Sequence, residues 1–314
     1  MAKRNTLQKQ VDHALMSKAH IGESRHAAKQ ELRDNYLQKG EKMPFGTPVE
    51  GIHSIQTFKD YQKIGERFVN WCISQQNVGK YTHLSKVKEL APQFLREGEQ
   101  QGKSLYTLKT ERAALGKIFG ETIPYKFEKQ RTTKEITRSR GQKVRDRNFS
   151  EEKNFNLVMM AKATGARRSD LAAMSAKDFY HDSYGNLWVH IAQSKGGRDR
   201  EAPVLPYYQG SVENFIKTRE NEPLLFDKIH NAADIHSYRR EYAQDLYDIV
   251  THDPETADQY RAVYGPRNEP KAKGEYYYSH DKEAPFAGRR DDISIVSQAL
   301  GHNRLDVSVN HYLK

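Results

Sequence analysis

Residues Lys129 to Arg147 cannot enter a hydrophobic core, and they divide the chain. The stretch holds eight Lys or Arg and two Asp or Glu, with almost no apolar side chain. Such a composition buries too little to offset the entropy of ordering it, so it reads as a linker or an exposed strand. A chain of 314 residues is long enough for about two domains. The expected division is a polar lead over 1–50, a helical domain over 51–128, the basic linker over 129–147 and a second domain over 148–314.

Charge and cysteine usage narrow the classes of function. The formal net charge is +10, which points to an anionic partner, most often nucleic acid. A single cysteine, Cys72, excludes an intramolecular disulfide and a cysteine-rich zinc site, and fits a reducing cytoplasm. No apolar run is long enough for a membrane span. Met1-Ala2-Lys3-Arg4 lacks the apolar core of a secretory signal. His280, His302 and His311 have neither cysteine support nor ligand-like spacing, so no metal and no cofactor are expected.

The first half reads as helical. Weak helical spacing at Leu7, Val11, Ala14 and Leu15 suits either an arm that touches DNA or a solvated helical lead. Ile55, Phe58, Tyr61, Ile64, Phe68 and Trp71 recur at three- and four-residue steps, and this stripe reads as core packing rather than a base-stacking surface. A second helix runs through Leu84, Val87, Leu90, Phe94 and Leu95, with Pro92 as a kink or a start. A third begins near Ser104 as N-cap.

The second half mixes helix and strand. Ser150 reads as the cap of a helix with acids in its first turn. Leu157 to Ala163 and Ser169 to Met174 read as helices separated by Gly165. Leu187 to Ile191 and Glu201 to Leu205 read as strands around a Gly196-Gly197 turn. Ile235 to Val250 is helical. Residues 251–290 are polar and read as an inserted excursion, in which Tyr276-Tyr277-Tyr278 face DNA, a neighbouring subunit or only solvent. The fold class expected is mostly α with a small β-sheet.

Four boxes carry chemistry: Thr164-Gly165-Ala166-Arg167-Arg168-Ser169-Asp170-Leu171, Ser194-Lys195-Gly196-Gly197, His236-Ser237-Tyr238-Arg239-Arg240, and Leu300-Gly301-His302 followed by His311-Tyr312. They supply cations and a phenol, the residue types that a tyrosine attacking a phosphodiester requires. In order and content they resemble the tyrosine recombinase (phage integrase) family. The resemblance covers roughly residues 147–314 through these four boxes, and 51–128 matches only in general pattern as a helical core-binding domain.

The resemblance implies a role for each residue. Arg167, not Arg168, and Arg239 bind the non-bridging phosphate oxygens, with Asp170 bracing the site. Lys195, on its tight turn, protonates the 5′ leaving oxygen. His236 assists proton transfer or binds phosphate, and His302 hydrogen-bonds the phosphate. Tyr312 is the nucleophile and forms a 3′-phosphotyrosyl link that conserves bond energy. A free phenol is only about 0.1% ionised at neutral pH, so it needs cations beside it.

The resemblance further implies two domains closing around double-stranded DNA, a homotetramer on two sites, and integration or excision of a phage or other mobile element. It allows an accessory DNA-bending protein. It implies a bacterial or phage-encoded, nucleoid-associated location. Three departures stand out. Tyr238 and Arg240 replace a leucine and a histidine of the family's box. Tyr312 falls one position later than the family's spacing from the histidine, which implies one extra residue in the loop. Only Leu313 and Lys314 follow Tyr312, where many members carry a tail that docks on a neighbouring subunit. Two alternatives share parts of this chemistry: a type IB topoisomerase-like relaxing enzyme and a non-catalytic DNA-binding regulator.

Overall fold

The structure is a computed structural model that describes residues 5–44, 47–128, 149–194, 198–265, 274–279, 285–302 and 304–313. The whole expected linker, 129–147, and Lys195 with its glycine turn lie outside the described residues. The chain divides into two compact units, Met1–Ile136 and Thr137–Lys314.

The first unit is helical: α1 Leu7–Met16, α2 Arg25–Gln38, α3 Ile55–Gln75, a 3-10 segment Leu84–Leu90, α4 Ala91–Gln100 and α5 Leu105–Phe119. Its core corrects the separation of 1–50 from the helical domain. Leu7, Val11 and Leu15 of α1 are fully buried among residues of α3, α4 and α5. Fully burying one such side chain contributes about 1.5–3 kcal/mol. Three on one face of a short helix outweigh the polar residues around them, so α1 packs into the domain instead of standing off as an arm. The aromatic stripe of α3 is core: Phe68 meets Phe94 and Phe119 edge-on at 5.4 and 5.9 Å. Ile55, at its first turn, is the exposed exception. Pro92 stands in the first turn of α4, where its missing N–H costs nothing. Ser104 caps α5 by accepting the N–H of Thr107 at 3.1 Å.

The second unit sets a three-stranded antiparallel sheet among helices. Its elements are α6 Phe155–Thr164, α7 Arg168–Ala173, β1 Phe179–His181, β2 Leu187–Ser194, β3 Arg198–Pro203, α8 Gln209–Thr218, α9 Ile235–His252, α10 Pro254–Tyr264, β4 Tyr276–Tyr278, β5 Ala287–Arg289, α11 Arg290–Ala299 and α12 Leu305–Ser308. The strands run in the order β1-β2-β3, with Tyr180 opposite Trp188 and Trp188 opposite Pro203, while β4 and β5 pair separately. The molecule is thus mostly α with small antiparallel sheets.

Two boundaries differ from expectation. The Ser150 hydroxyl closes a turn by accepting the Lys153 N–H at 3.3 Å, and α6 starts only at Phe155. The region 251–290 is not wholly an excursion. Ala257 and Tyr260 of α10 are fully buried, and the Tyr260 ring packs edge-on against Trp188 at 5.3 Å. One apolar face is enough to anchor a helix whose composition is otherwise polar.

Candidate active site

The site is built where three chain reversals meet. The first follows α6. Gly165 ends that helix in the left-handed conformation, φ +58°, and a Cβ there would lie 2.2 Å from the Tyr242 ring. Only glycine permits that conformation together with so close an approach. The chain then enters α7 with Arg167 at its N-cap. Asp170 accepts the Arg167 N–H at 3.0 Å, one half of a capping box. The same carboxylate oxygen lies 3.9 Å from Nη1 of Arg167.

The second reversal follows α11. Gly301, at φ +65°, turns the chain so that the Leu300 carbonyl faces inward. Arg167 donates to that carbonyl from Nη2 at 3.1 Å, and Arg239 donates to it as well. The carbonyl end of a helix carries partial negative charge, which suits two guanidiniums converging there.

Arg239 arrives from the second turn of α9 and is almost completely buried. Its Nη1 donates to the Gly165 carbonyl, so one guanidinium joins the first reversal to the second. Its Nε donates to the Tyr312 phenolic oxygen at 3.4 Å, and its Cζ lies 5.7 Å from the centre of that ring. Burial pushes Arg239 down to about 10, and Arg200 and Arg167 add to the shift. Arg167 is lowered too, first by burial and then by Arg200.

The third element is the π turn Val309–Leu313, which follows α12 and carries Tyr312. A π turn takes up one residue more than an α turn. Tyr312 thus sits in a widened helical turn. The half-buried Tyr312 ring packs on the core formed by α9, α10 and α11.

His302 lies just beyond Gly301, with its N–H bonded to the Ser297 carbonyl at 2.9 Å. Its ring is 5.3 Å from that of Tyr312, inclined at 45°. Burial pushes the imidazole down to about 3, helped by Arg239, Arg167, Arg200 and His311, so it is neutral at pH 7. Its Nε2 is buried without a hydrogen-bond partner among the described residues.

Arg167, Asp170, Arg239, His302 and Tyr312 thus come together. His236 is exposed in the first turn of α9, one turn before Arg239. Arg168 points elsewhere: it donates to the carbonyls of His230, Asn231 and Ala233 at 2.7, 3.3 and 2.7 Å. Its guanidinium holds a loop and is committed there.

The sequence reading passed over Arg200. On β3 it lies opposite Ile191 and is buried beside the others, bonded through Nη2 to Asp170 at 3.0 Å and through Nη1 to the Ala299 carbonyl. Alternation was the available signal. Arg200 and Ala202 share one strand face, and Ala202 is fully buried. Burial alone would raise the Asp170 carboxyl, but the Arg167 N–H and the Arg200 guanidinium outweigh it and hold the group below the ordinary carboxylate range.

The chain matches no protein-family model and no curated protein. Among solved structures it is similar to the XerH site-specific recombinase bound to a palindromic difH substrate in a post-cleavage complex. The TM-score is 0.50 at 14% identity, with 97% of this chain and 90% of the other covered. The chain has the tyrosine recombinase fold. A pre-cleavage XerH complex with difH gives 0.49 at 14% identity, covering 99% and 95%. The Tn1549 transposon integrase in complex with a circular intermediate DNA gives 0.41 at 12% identity, covering 90% and 94%. Within the recombinase fold of this chain, the clustered cations and the phenol all belong to the second unit.

Proposed function

We propose that the protein is a site-specific DNA recombinase that cuts and rejoins strands through a 3′-phosphotyrosyl intermediate, with Tyr312 as nucleophile. The observation that carries this reading is the Arg239 Nε–H directed at the Tyr312 oxygen, with Arg167 anchored to the same Leu300 carbonyl as Arg239. This contact places a guanidinium directly beside the oxygen that would attack phosphorus.

In the proposed step the Tyr312 oxygen forms a bond to phosphorus and the bond to the 5′ oxygen breaks. Arg167 and Arg239 neutralise the non-bridging oxygens. Neutral His302 carries one donor and one acceptor nitrogen, enough to bind a phosphate oxygen or take the phenolic proton. Lys195 delivers a proton to the departing 5′ oxygen, and His236 assists. The 5′ hydroxyl of a partner strand then attacks the phosphotyrosine and releases Tyr312. This exchange uses no external energy source. The net charge of +10 supports binding to the duplex. The similarity to a DNA complex of a site-specific recombinase supports the recombinase reading, and integration or excision of a phage or other mobile element is part of the same proposal. A homotetramer on two sites, residues 51–128 as the core-binding region, and a cytoplasmic, nucleoid-associated location belong to the same proposal.

The test uses nicked suicide duplexes carrying the DNA that flanks the gene, resolved on denaturing gels. A protein-linked band that vanishes in Tyr312→Phe is expected. Wild-type cleavage by Tyr312→Phe would remove the nucleophile assignment. Tight binding without any covalent band would favour a DNA-binding regulator.

A further inference from the structure

We propose that Arg200 is the positioning residue of this centre, locking the Arg167 helix start to the turn that carries His302 so that both arginines and the histidine face one phosphodiester. The inference rests on the strand-cleavage reading above and goes beyond its residue set.

The geometry carries it. Arg200 does not touch Tyr312. Its side chain is 4% exposed and bridges Asp170 and Ala299, 129 positions apart in the chain. One side of the fork grips Asp170 at 3.0 Å, and Asp170 in turn holds the Arg167 N–H. The other side donates to the Ala299 carbonyl. The next carbonyl, that of Leu300, is the one that fixes Arg167 and Arg239. Gly301 follows with space for no side chain, because a Cβ would sit 2.8 Å from Cδ of Arg200. The turn is therefore pressed onto the arginine itself.

Charge gives Arg200 a second effect. The guanidiniums of Arg167 and Arg200 both face the Asp170 carboxylate, and Arg239 meets Arg167 at the Leu300 carbonyl. Arg200 also pushes Arg167, Arg239 and His302 towards their neutral forms. A lysine would keep the charge but, as a point ammonium, would lose the planar fork that spans both acceptors.

The test compares wild type, Arg200→Met and Arg200→Lys in the full chain. The first readout is the single-turnover rate of covalent adduct formation at saturating suicide DNA, with half-saturation measured separately. Arg200→Met should slow the adduct about a hundredfold, and Arg200→Lys about tenfold, at unchanged half-saturation, as expected for misplaced rather than missing groups. Rates within about twofold of wild type in both variants would overturn the proposal. If Arg200→Met fails to fold, the Lys variant decides alone.

The second readout needs no DNA and so separates this inference from the strand-cleavage reading. It follows the His302 ring nitrogens by NMR in histidine-labelled protein. The ring faces Arg239, Arg167, Arg200 and His311, and packs on Tyr312. Its titration midpoint should rise in Arg200→Met and return towards wild type in Arg200→Lys, because the ammonium restores the charge. One midpoint shared by all three proteins would overturn the proposal even where the wild type makes no adduct.

Discussion

The Nε–H of Arg239 is directed at the phenolic oxygen of Tyr312 across 3.4 Å, although the two residues are 73 positions apart in the chain. The same guanidinium is bonded to the carbonyls of Gly165 and Leu300. Arg239 thus ties together the three segments of the site and touches its proposed nucleophile.

Replacing Arg239 should therefore cost activity and stability together. Arg239→Ala leaves the Gly165 and Leu300 carbonyls with fewer donors, at about 1–3 kcal/mol for each acceptor left unsatisfied in the interior. Adduct formation should fall by roughly a hundred- to a thousandfold. Urea unfolding and single-turnover cleavage measure the two effects. Loss of cleavage at wild-type stability would contradict the structural half of this account.

The adjacent arginines Arg167 and Arg168 should separate cleanly. Arg167→Ala should abolish adduct formation while leaving duplex binding largely intact. Arg168→Ala should retain cleavage and lose about 1–3 kcal/mol of stability, because three loop carbonyls lose their donor. Cleavage assays on both variants, with gel-shift controls, decide this. Equal loss of cleavage in the two would refute the division of labour.

His302 predicts a particular pH dependence of stability. The unfolded chain protonates this ring near 6.5, while the folded chain holds it neutral down to about 3. Between those values the unfolded state binds more protons, so stability rises with pH across the window and falls as the medium is acidified. Asp170, whose folded carboxyl is depressed, adds its own loss only as pH falls below the ordinary carboxylate range. His302→Asn should flatten the decline between pH 6.5 and 5. Urea midpoints measured at successive pH values test it, and parallel curves for the two proteins would count against a buried neutral imidazole.

Gly165→Ala should be poorly tolerated. The new methyl would enter the Tyr242 ring space at a left-handed backbone position. Tyr242 is fully buried, and its hydroxyl donates to the Pro203 carbonyl at 2.9 Å. Backbone strain and overpacking together should cost about 2–4 kcal/mol. The shifted Gly165 carbonyl should also slow adduct formation through Arg239. Calorimetric melting and cleavage rates check this, and a variant that melts with wild type would show that the turn can relax.

Local pattern made much of this legible. Helix caps such as Ser104 and the Gly165 stop depend on neighbours within a few residues, so they can be read directly. The aromatic stripe of α3 shows a periodicity that the burial of Ile64, Phe68 and Val69 explains. The region 251–290 misled, because α10 is anchored by only two fully buried side chains in a polar helix. Composition averages such a face away.

By itself, then, the sequence determined which chemistry the chain can support: the arginines, histidines and phenol, their order, and the short-range turns that present them. Tertiary structure alone decided that α1 belongs to the helical core, that Arg168 holds a loop, that Arg200 is buried against Asp170, and that a π turn carries Tyr312. The physical reason is that these outcomes depend on burial and hydrogen bonds between segments distant in the chain. An arginine has the same local propensity whether its fork meets water or a carboxylate thirty residues away. Only packing determines which of the two it finds.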